Sequence, residues 1–396
     1  MTVWIESPFD NLPAEGYRKQ RYFLMAEAFA RLGHRVALWT TDFNHTTKSK
    51  RVIKDMTVFE RSQISLELIE TRPYRTNVSF GRILSHRGYV KAWRKTAFKK
   101  VESGILPKPD LIIVSTPVIS AGTAALEMKR AFGCKVVVDI QDLWPETFYR
   151  LVPKGLRTLM KFMLSPLKSE RDKALREADM ATGVCELYRD VALKAGAKAF
   201  HRAYHGIDRT LLARLRERDH GNKLIITYIG NLGRTYDLKT VIEAVRILPD
   251  VELNIAGRGP CEEELMDFAK GENRVRFLGY LEQKDLEGLL ERSDIGIVPM
   301  KSESFVGIPY KFADYASASL AILSSLIGES SILLSRYSAG ITYTDTSTLV
   351  EAIWKVRENL ADFKRGASLM AEKEFHASSI YADYTKKVIS CIENEV

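Results

Sequence analysis

The sequence has 396 residues, 45% of them hydrophobic and 28% charged, with a formal net charge of +9. That length predicts two or three folded domains, and the composition excludes a disordered or disulfide-dense chain. The four cysteines, Cys134, Cys185, Cys261 and Cys391, have no paired spacing, which argues against structural zinc and a disulfide framework.

The chain opens "MTVWIESPFDNLP", with no basic region leading into an apolar run. No segment reaches the roughly 18 uninterrupted apolar residues of a membrane span. The expectation is a cytoplasmic chain. A strand "TVWIES", a helix "RYFLMAEAFARLG" and a strand "HRVALWTT" come first. From Thr71 to Lys100 there follow nine Lys/Arg and no Asp or Glu. Next are "LIIVST", a helix through "GTAALEMKRAF", the strand "KVVVDI" and a short strand near "MATGV". Between the last two lies "RLVPKGLRTLMKFMLSPLKSERDKALR", where Leu156, Leu159, Met160, Met163, Leu164 and Leu167 recur at helical spacing among Arg157, Lys161 and Lys168. This stripe is either the inner face of a surface helix or a membrane-surface element, and the basic runs are either solvated faces or contacts for anionic partners.

A break near "AYHGIDRTLLARLRERDHGNK" separates a second series. It runs "KLIITYIG", a helix "DLKTVIEAVRIL", "VELNIAG", a helix "EEELMDFA", "VRFLG", a helix "DLEGLLER", "IGIVP", a helix in "GIPYKFADYASAS" and the strand "AILSS". Apolar β-rich runs alternating with helices predict an α/β chain with two doubly wound parallel sheets in tandem.

Parallel sheets bind ligands at the carboxyl ends of their strands, where glycine turns bring phosphates to backbone amides and helix N-termini. Three such turns lie in the second half. "YIGNLGRTYD" holds Gly230, Gly233 and Arg234; "IAGRGPCEEE" holds Gly257, Arg258 and Gly259; "VGIPYKFAD" holds Gly307, Ile308 and Pro309. Glycine at a βα turn also has a purely steric reading. In the third turn Pro309 predicts a helix start, which puts Lys311 in the first turn and Asp314 on about the same face. A cation beside a carboxylate suits a phosphate next to a diol, as in a nucleotide; the plainer alternative is a solvated Lys/Asp pair. No G-x-x-x-x-G-K-[ST] loop, complete G-x-G-x-x-G or Asp-x-Asp metal site is present.

These residues resemble the donor half of family 4 glycosyltransferases, retaining enzymes of the GT-B fold. "PAEGYRKQRYFLMAEAFARLGHRV" and "VVVDIQDLWPETF" are similar to that family's glycine loop and acceptor-side strand end. The Asp-Leu-Trp-Pro-Glu run from Asp142 to Glu146 resembles members that build bacterial surface polysaccharides on lipid carriers.

The resemblance implies two Rossmann-like domains with an interdomain cleft: 1–203 for the acceptor, 204–377 for the donor, and 378–396 as a helix returning to the first. It implies a nucleotide-diphosphate sugar donor, expected to be a UDP-sugar, and a lipid-linked or glycan acceptor. No cofactor, metal or nucleic acid is expected. Asp314 stands where the family has a glutamate for the ribose hydroxyls. Lys311, Gly233 and Arg234 stand beside the diphosphate, with Gly307, Ile308 and Pro309 leading into that helix. Gly16 lies in the closing loop and Arg258 at the edge of the base pocket. Gln141, Asp142 and Glu146 fall on the acceptor side. The catalytic set so implied is Asp142, Arg234 and Lys311, although Asp142 reads equally as a helix cap.

The sequence departs from the family pattern at Val306 and Asp314, where glutamates are usual, with Glu303 out of register. It departs again at Asn231 and Tyr236, where the diphosphate loop usually has arginine and lysine, at Gln141, where histidine is common, and at Ser317, Ala318 and Ser319, which lack the usual glycine. The basic stretches 72–100 and 150–176 fall in the acceptor half, so a peripheral position on the cytoplasmic face of the inner membrane is expected. A GT-B sugar-nucleotide epimerase and a non-catalytic nucleotide-sugar binder are the alternatives.

Overall fold

The computed structural model describes residues 1–75, 79–150, 152–208, 223–301 and 306–393. Glu303, parts of both basic stretches and most of the break between the two series lie outside these residues. The chain forms two compact units, Met1–Gly206 with Ser378–Val396, and Ile207–Ala377.

The first unit is built on strands β1 (Thr2–Glu6), β2 (Arg35–Thr41), β5 (Ile64–Ile69), β6 (Leu111–Ser115), β7 (Lys135–Ile140), β8 (Met180–Gly183) and β9 (Phe200–Arg202), with β3 (Phe43–Asn44) and β4 (Ser49–Lys50) forming a small antiparallel pair. The seven strands are parallel in the order β5-β2-β1-β6-β7-β8-β9. "LIIVS" and "KVVVDI" read as near-continuous apolar runs because helices cover both faces of a parallel sheet; every residue of β6 is buried. Trp4 of β1 meets Trp39 at 5.2 Å and Phe132 at 6.0 Å between ring centroids.

The basic stretch is largely a helix, Phe80–Glu102, capped by Ser79, whose side chain accepts from the Arg82 amide. It buries Tyr89, Trp93 and Ala97 and leaves Arg87, Lys91, Arg94 and Lys95 exposed. The apolar stripe behaves differently from an inner helix face. It forms two helices, Arg157–Met163 and Ser165–Glu177, and the first buries none of its residues. Leu156, Leu159, Phe162 and Met163 are 52–78% exposed, so the core-facing alternative does not hold for them.

The C-terminal helix Ala377–Glu393 brings Tyr381, Tyr384 and Val388 into the first unit's core. The Gly206 amide donates to the Tyr381 hydroxyl at 3.2 Å.

The second unit has six parallel strands, β10 (Leu224–Ile229), β11 (Val251–Ala256), β12 (Val275–Gly279), β13 (Ile295–Val298), β14 (Ala321–Ser324) and β15 (Gly340–Thr342), in the order β12-β11-β10-β13-β14-β15. Helices Leu238–Ile247 and Thr346–Glu358 cover one face, setting Val241, Ile242, Val245, Leu349, Ile353 and Val356 in its core. Strand order reverses between β1 and β6 in the first sheet and between β10 and β13 in the second. Loops diverge at such switch points and open a crevice at the strand ends.

Candidate donor site at the second switch point

The turns after β10 and β11 are pressed together. Gly230 has φ +129° and Gly257 φ +141°, and a Cβ on Gly257 would lie 1.8 Å from the Gly230 carbonyl oxygen. A Cβ on Gly259 would lie 2.5 Å from the Leu232 carbonyl oxygen. Two hydrogen bonds join the turns, from the Leu232 amide to the Arg258 carbonyl and from the Cys261 amide to the Leu232 carbonyl, both 2.9 Å. Gly257 and Gly259 are therefore glycines for steric reasons. Arg234, at the exposed tip of the first turn, makes no hydrogen bond or ion pair among the described residues. Arg258 is exposed and donates to Glu262 at 3.2 Å.

The helix after β13 spans Tyr310–Ser317. Pro309 is its N-cap with ψ 154°, one position outside the helical start expected of it. Gly307 and buried Ile308 lead into it. Tyr315 pins the helix to the sheet: its hydroxyl accepts from the Ile229 amide at 2.9 Å and donates to the Ile297 carbonyl at 3.3 Å.

Lys311 and Asp314 are 7% and 8% exposed, so the solvated-pair alternative fails. They do not form an ion pair, and among the described residues the Lys311 amine has no hydrogen-bond partner. It points instead at the ring faces of Tyr228 and Tyr236, 3.9 Å from each centroid. Burial pushes the amine well below the ordinary lysine range, and the Asp314 carboxylate only partly offsets this. A Cβ on Gly230 would come 3.0 Å from the Lys311 Nζ, so the amine lies directly against the glycine turn.

Gly16, Gln141, Asp142 and Glu146 belong to the first unit. Gly16, at φ +92°, closes the short helix Pro13–Glu15. Gln141 donates to Asp139 Oδ2 at 3.3 Å. Asp142 accepts from Trp144 Nε1 at 3.2 Å and Thr147 Oγ1 at 3.3 Å, so it ties the turn into the helix Glu146–Arg150, and burial raises its pKa. Glu146 is engaged by the buried Arg171.

Several residues escaped the sequence reading. Tyr228 and Tyr236 flank the first glycine turn, but nothing in their spacing reveals that they share a lysine more than 70 positions away. Arg21 and Asp139 form a fully buried pair at 2.8 Å, with Tyr22 and Thr182 hydroxyls also donating to the carboxylate. That pair holds Asp139 down at about 2 despite its burial. A charge inside the apolar run "KVVVDI" was the available signal. Arg82, 4.5 Å over the Trp144 ring and donating to His86 at 3.2 Å, was one cation among nine.

The family model Glycosyl transferases group 1 matches residues 223–359, the stretch that holds both glycine turns and Lys311. That match falls within the second unit. No curated protein matches the chain significantly. Among solved structures it is similar to sucrose-phosphate synthase from Thermosynechococcus elongatus (13% identity, TM-score 0.76, 99% of each chain covered). It is also similar to Anabaena Alr3699/HepE in complex with UDP and glucose (16%, TM-score 0.65, 98% of this chain and 99% of that one). A third likeness is to WaaG, a glycosyltransferase involved in lipopolysaccharide biosynthesis (13%, TM-score 0.63, 98% and 99%). At these identities the likeness shows the fold, which is GT-B: two Rossmann-like parallel sheets in one chain. Among the described residues no cluster of His, Cys, Asp and Glu could hold a metal ion, and no helix is long and apolar enough to cross a membrane.

Proposed function

We propose that this chain is a retaining glycosyltransferase that moves a sugar from a nucleotide-diphosphate donor, a UDP-sugar, to a hydroxyl of a lipid-linked or glycan acceptor in cell-surface polysaccharide biosynthesis. The observation that carries this reading is the buried, unpartnered amine of Lys311 at the switch point of a group 1 domain. A buried amine donor without an acceptor is costly, and an anion arriving at the strand ends relieves that cost. The solved complex of HepE with UDP supports a uridine nucleotide in a fold of this kind.

As the bond between the anomeric carbon and the diphosphate lengthens, negative charge grows on the leaving phosphate. Lys311, the exposed Arg234 and the amides at the start of the helix Tyr310–Ser317 stabilise that charge, and they do so more strongly in the transition state than in the ground state. In this scheme the cations do the neutralising, and the reaction needs no metal. Asp314 accepts from the ribose hydroxyls. The acceptor hydroxyl attacks on the face the leaving group departs from, so configuration is retained, and its proton goes to the departing phosphate. Asp142, in the first unit, is the proposed orienting group for that hydroxyl.

The exposed Leu156, Leu159, Phe162 and Met163, set among Lys154, Arg157, Lys161 and Lys168 with no acid between Pro153 and Glu170, suit an anionic bilayer surface. This supports a peripheral position on the cytoplasmic face of the inner membrane, where lipid-linked acceptors would be met.

A panel of sugar nucleotides scored first by thermal shift, then by product formed with extracted lipid acceptors, tests the whole reading. Transfer with retained configuration is expected. An altered sugar nucleotide formed without acceptor would instead mark an epimerase, and binding without turnover a non-catalytic binder.

A further inference from the structure

An ammonium group has three N–H donors to satisfy. Among the described residues the Lys311 amine has none of them satisfied. Its surroundings are the ring faces of Tyr228 and Tyr236, which stand 5.5 Å apart at 72°, and the backbone of Gly230. Ring faces attract a cation, but they do not replace the water that a buried ammonium has lost. The phenols themselves are committed or buried: the Tyr228 hydroxyl donates to the Asn231 carbonyl at 2.7 Å. The other titratable groups around the amine are Asp314 and Tyr315 on its own helix. The helix Leu360–Met370 and the segment Ala371–Phe375 with Glu372, Lys373 and Glu374, both packed on that helix, contribute no charge that bears on it among the described residues. Burial keeps all three phenols protonated.

We infer that Tyr228 and Tyr236 are positioning residues that hold Lys311 as a dry, uncharged amine until a diphosphate oxygen reaches it, so that donor binding draws one proton from solvent onto Lys311. This rests on the proposed donor reading and deepens it. In the free protein the amine nitrogen keeps its lone pair. When the diphosphate arrives, that lone pair takes a proton from the buffer and the new N–H groups donate to phosphate oxygens, which supply both the acceptors and the countercharge. The charge that meets the diphosphate then comes from the helix after β13, and only when an anion is present.

Calorimetric titration of UDP into the full-length protein at pH 8, in buffers of different ionisation enthalpy, counts the protons. Uptake of about one proton per UDP is expected, with affinity falling up to about tenfold per pH unit between pH 7 and 9. Lys311→Met should bind weakly and without that uptake. The tyrosines carry a second comparison if Lys311→Met binds too weakly to titrate: Tyr236→Phe keeps the ring face and should keep the uptake, whereas Tyr236→Leu wets the amine and should lose it while still binding UDP. A charged lysine that merely props the loop predicts no uptake in any of these proteins. UDP binding without uptake sinks this inference and leaves the donor reading standing. Failure of both UDP and GDP to bind sinks both.

Discussion

Gly296 lies beneath the ring of Tyr315, so close that a Cβ on the glycine would sit 2.1 Å from a ring carbon. The contact sets how near the helix Tyr310–Ser317 approaches β13, and hence where Lys311 meets the glycine turn. Gly296→Ala must push the ring or the strand aside. Overpacking of this kind costs about 1–3 kcal/mol. We expect a lowered thermal midpoint together with weaker UDP binding, measured on the same preparation by scanning fluorimetry and calorimetry. An unchanged midpoint would show that the helix is not held by this contact.

Lys311→Met should stabilise the ligand-free protein. Burial lowers the lysine's pKa in the folded chain relative to the unfolded chain, so wherever the two states differ it is the unfolded state that binds the extra proton, and stability contributed by this site rises as pH rises toward the unfolded lysine value of about 10.4. At pH 7 the variant should gain at least about 1–3 kcal/mol, the cost of leaving a buried polar group unsatisfied. The gap to the wild type should narrow toward that cost as pH approaches 10 and the proton-linked part is lost. Denaturant melts at pH 7, 8.5 and 10 check this, and a less stable variant at pH 7 would contradict it. Greater stability with weaker donor binding is the signature of a group kept for function.

Glu6, at the carboxyl end of β1, is fully buried, and its pKa is pushed up to about 8. The Ser115 amide and hydroxyl donate to its Oε2, which lessens the shift without cancelling it. A raised folded-state pKa means that the folded protein holds the proton. The associated stability is complete below the unfolded value, near 4.5, and is lost as pH rises through about 8. Glu6→Gln mimics the protonated acid and still accepts from Ser115. The variant should match the wild type near pH 5 and exceed it at pH 9 by on the order of a few kcal/mol, as urea melts at the two pH values would report.

Phe162→Glu with Leu159→Glu should abolish flotation with phosphatidylglycerol-containing liposomes. The thermal midpoint should stay within about 1 °C, because exposed sites contribute little to stability. Reversing charge at Lys154 and Lys161 should weaken flotation in proportion to salt. Liposome binding that survives the double glutamate variant would assign the membrane contact to another surface.

Sequence patterns revealed the parallel sheets because a strand covered on both faces is apolar nearly throughout, as in "LIIVS" and "IGIV". The helix Phe80–Glu102 stayed hidden because its seven cations outnumber the apolar residues it buries among those described, Tyr89, Val90, Trp93 and Ala97, and swamp the helical period. For Arg157–Met163 periodicity announced a helix but carried no information on what its apolar side would face. At the site, glycine turns were readable because close backbone approach permits no Cβ at Gly257 or Gly259. The tyrosine cage was not, since β10, its loop and the helix after β13 converge only through the sheet. Lys311 was found by its place near a helix start; its lack of a hydrogen-bond partner among the described residues belongs to the tertiary structure alone.

The last helix completes the first unit. A ribosome therefore delivers every residue of the second unit before it makes Tyr381, Tyr384 and Val388, which fill the older unit's core. The half synthesised first is the half that finishes last. Until those residues emerge from the exit tunnel, the nascent chain presents unfilled apolar surface on its amino-terminal half, which is where holding factors would be needed during translation.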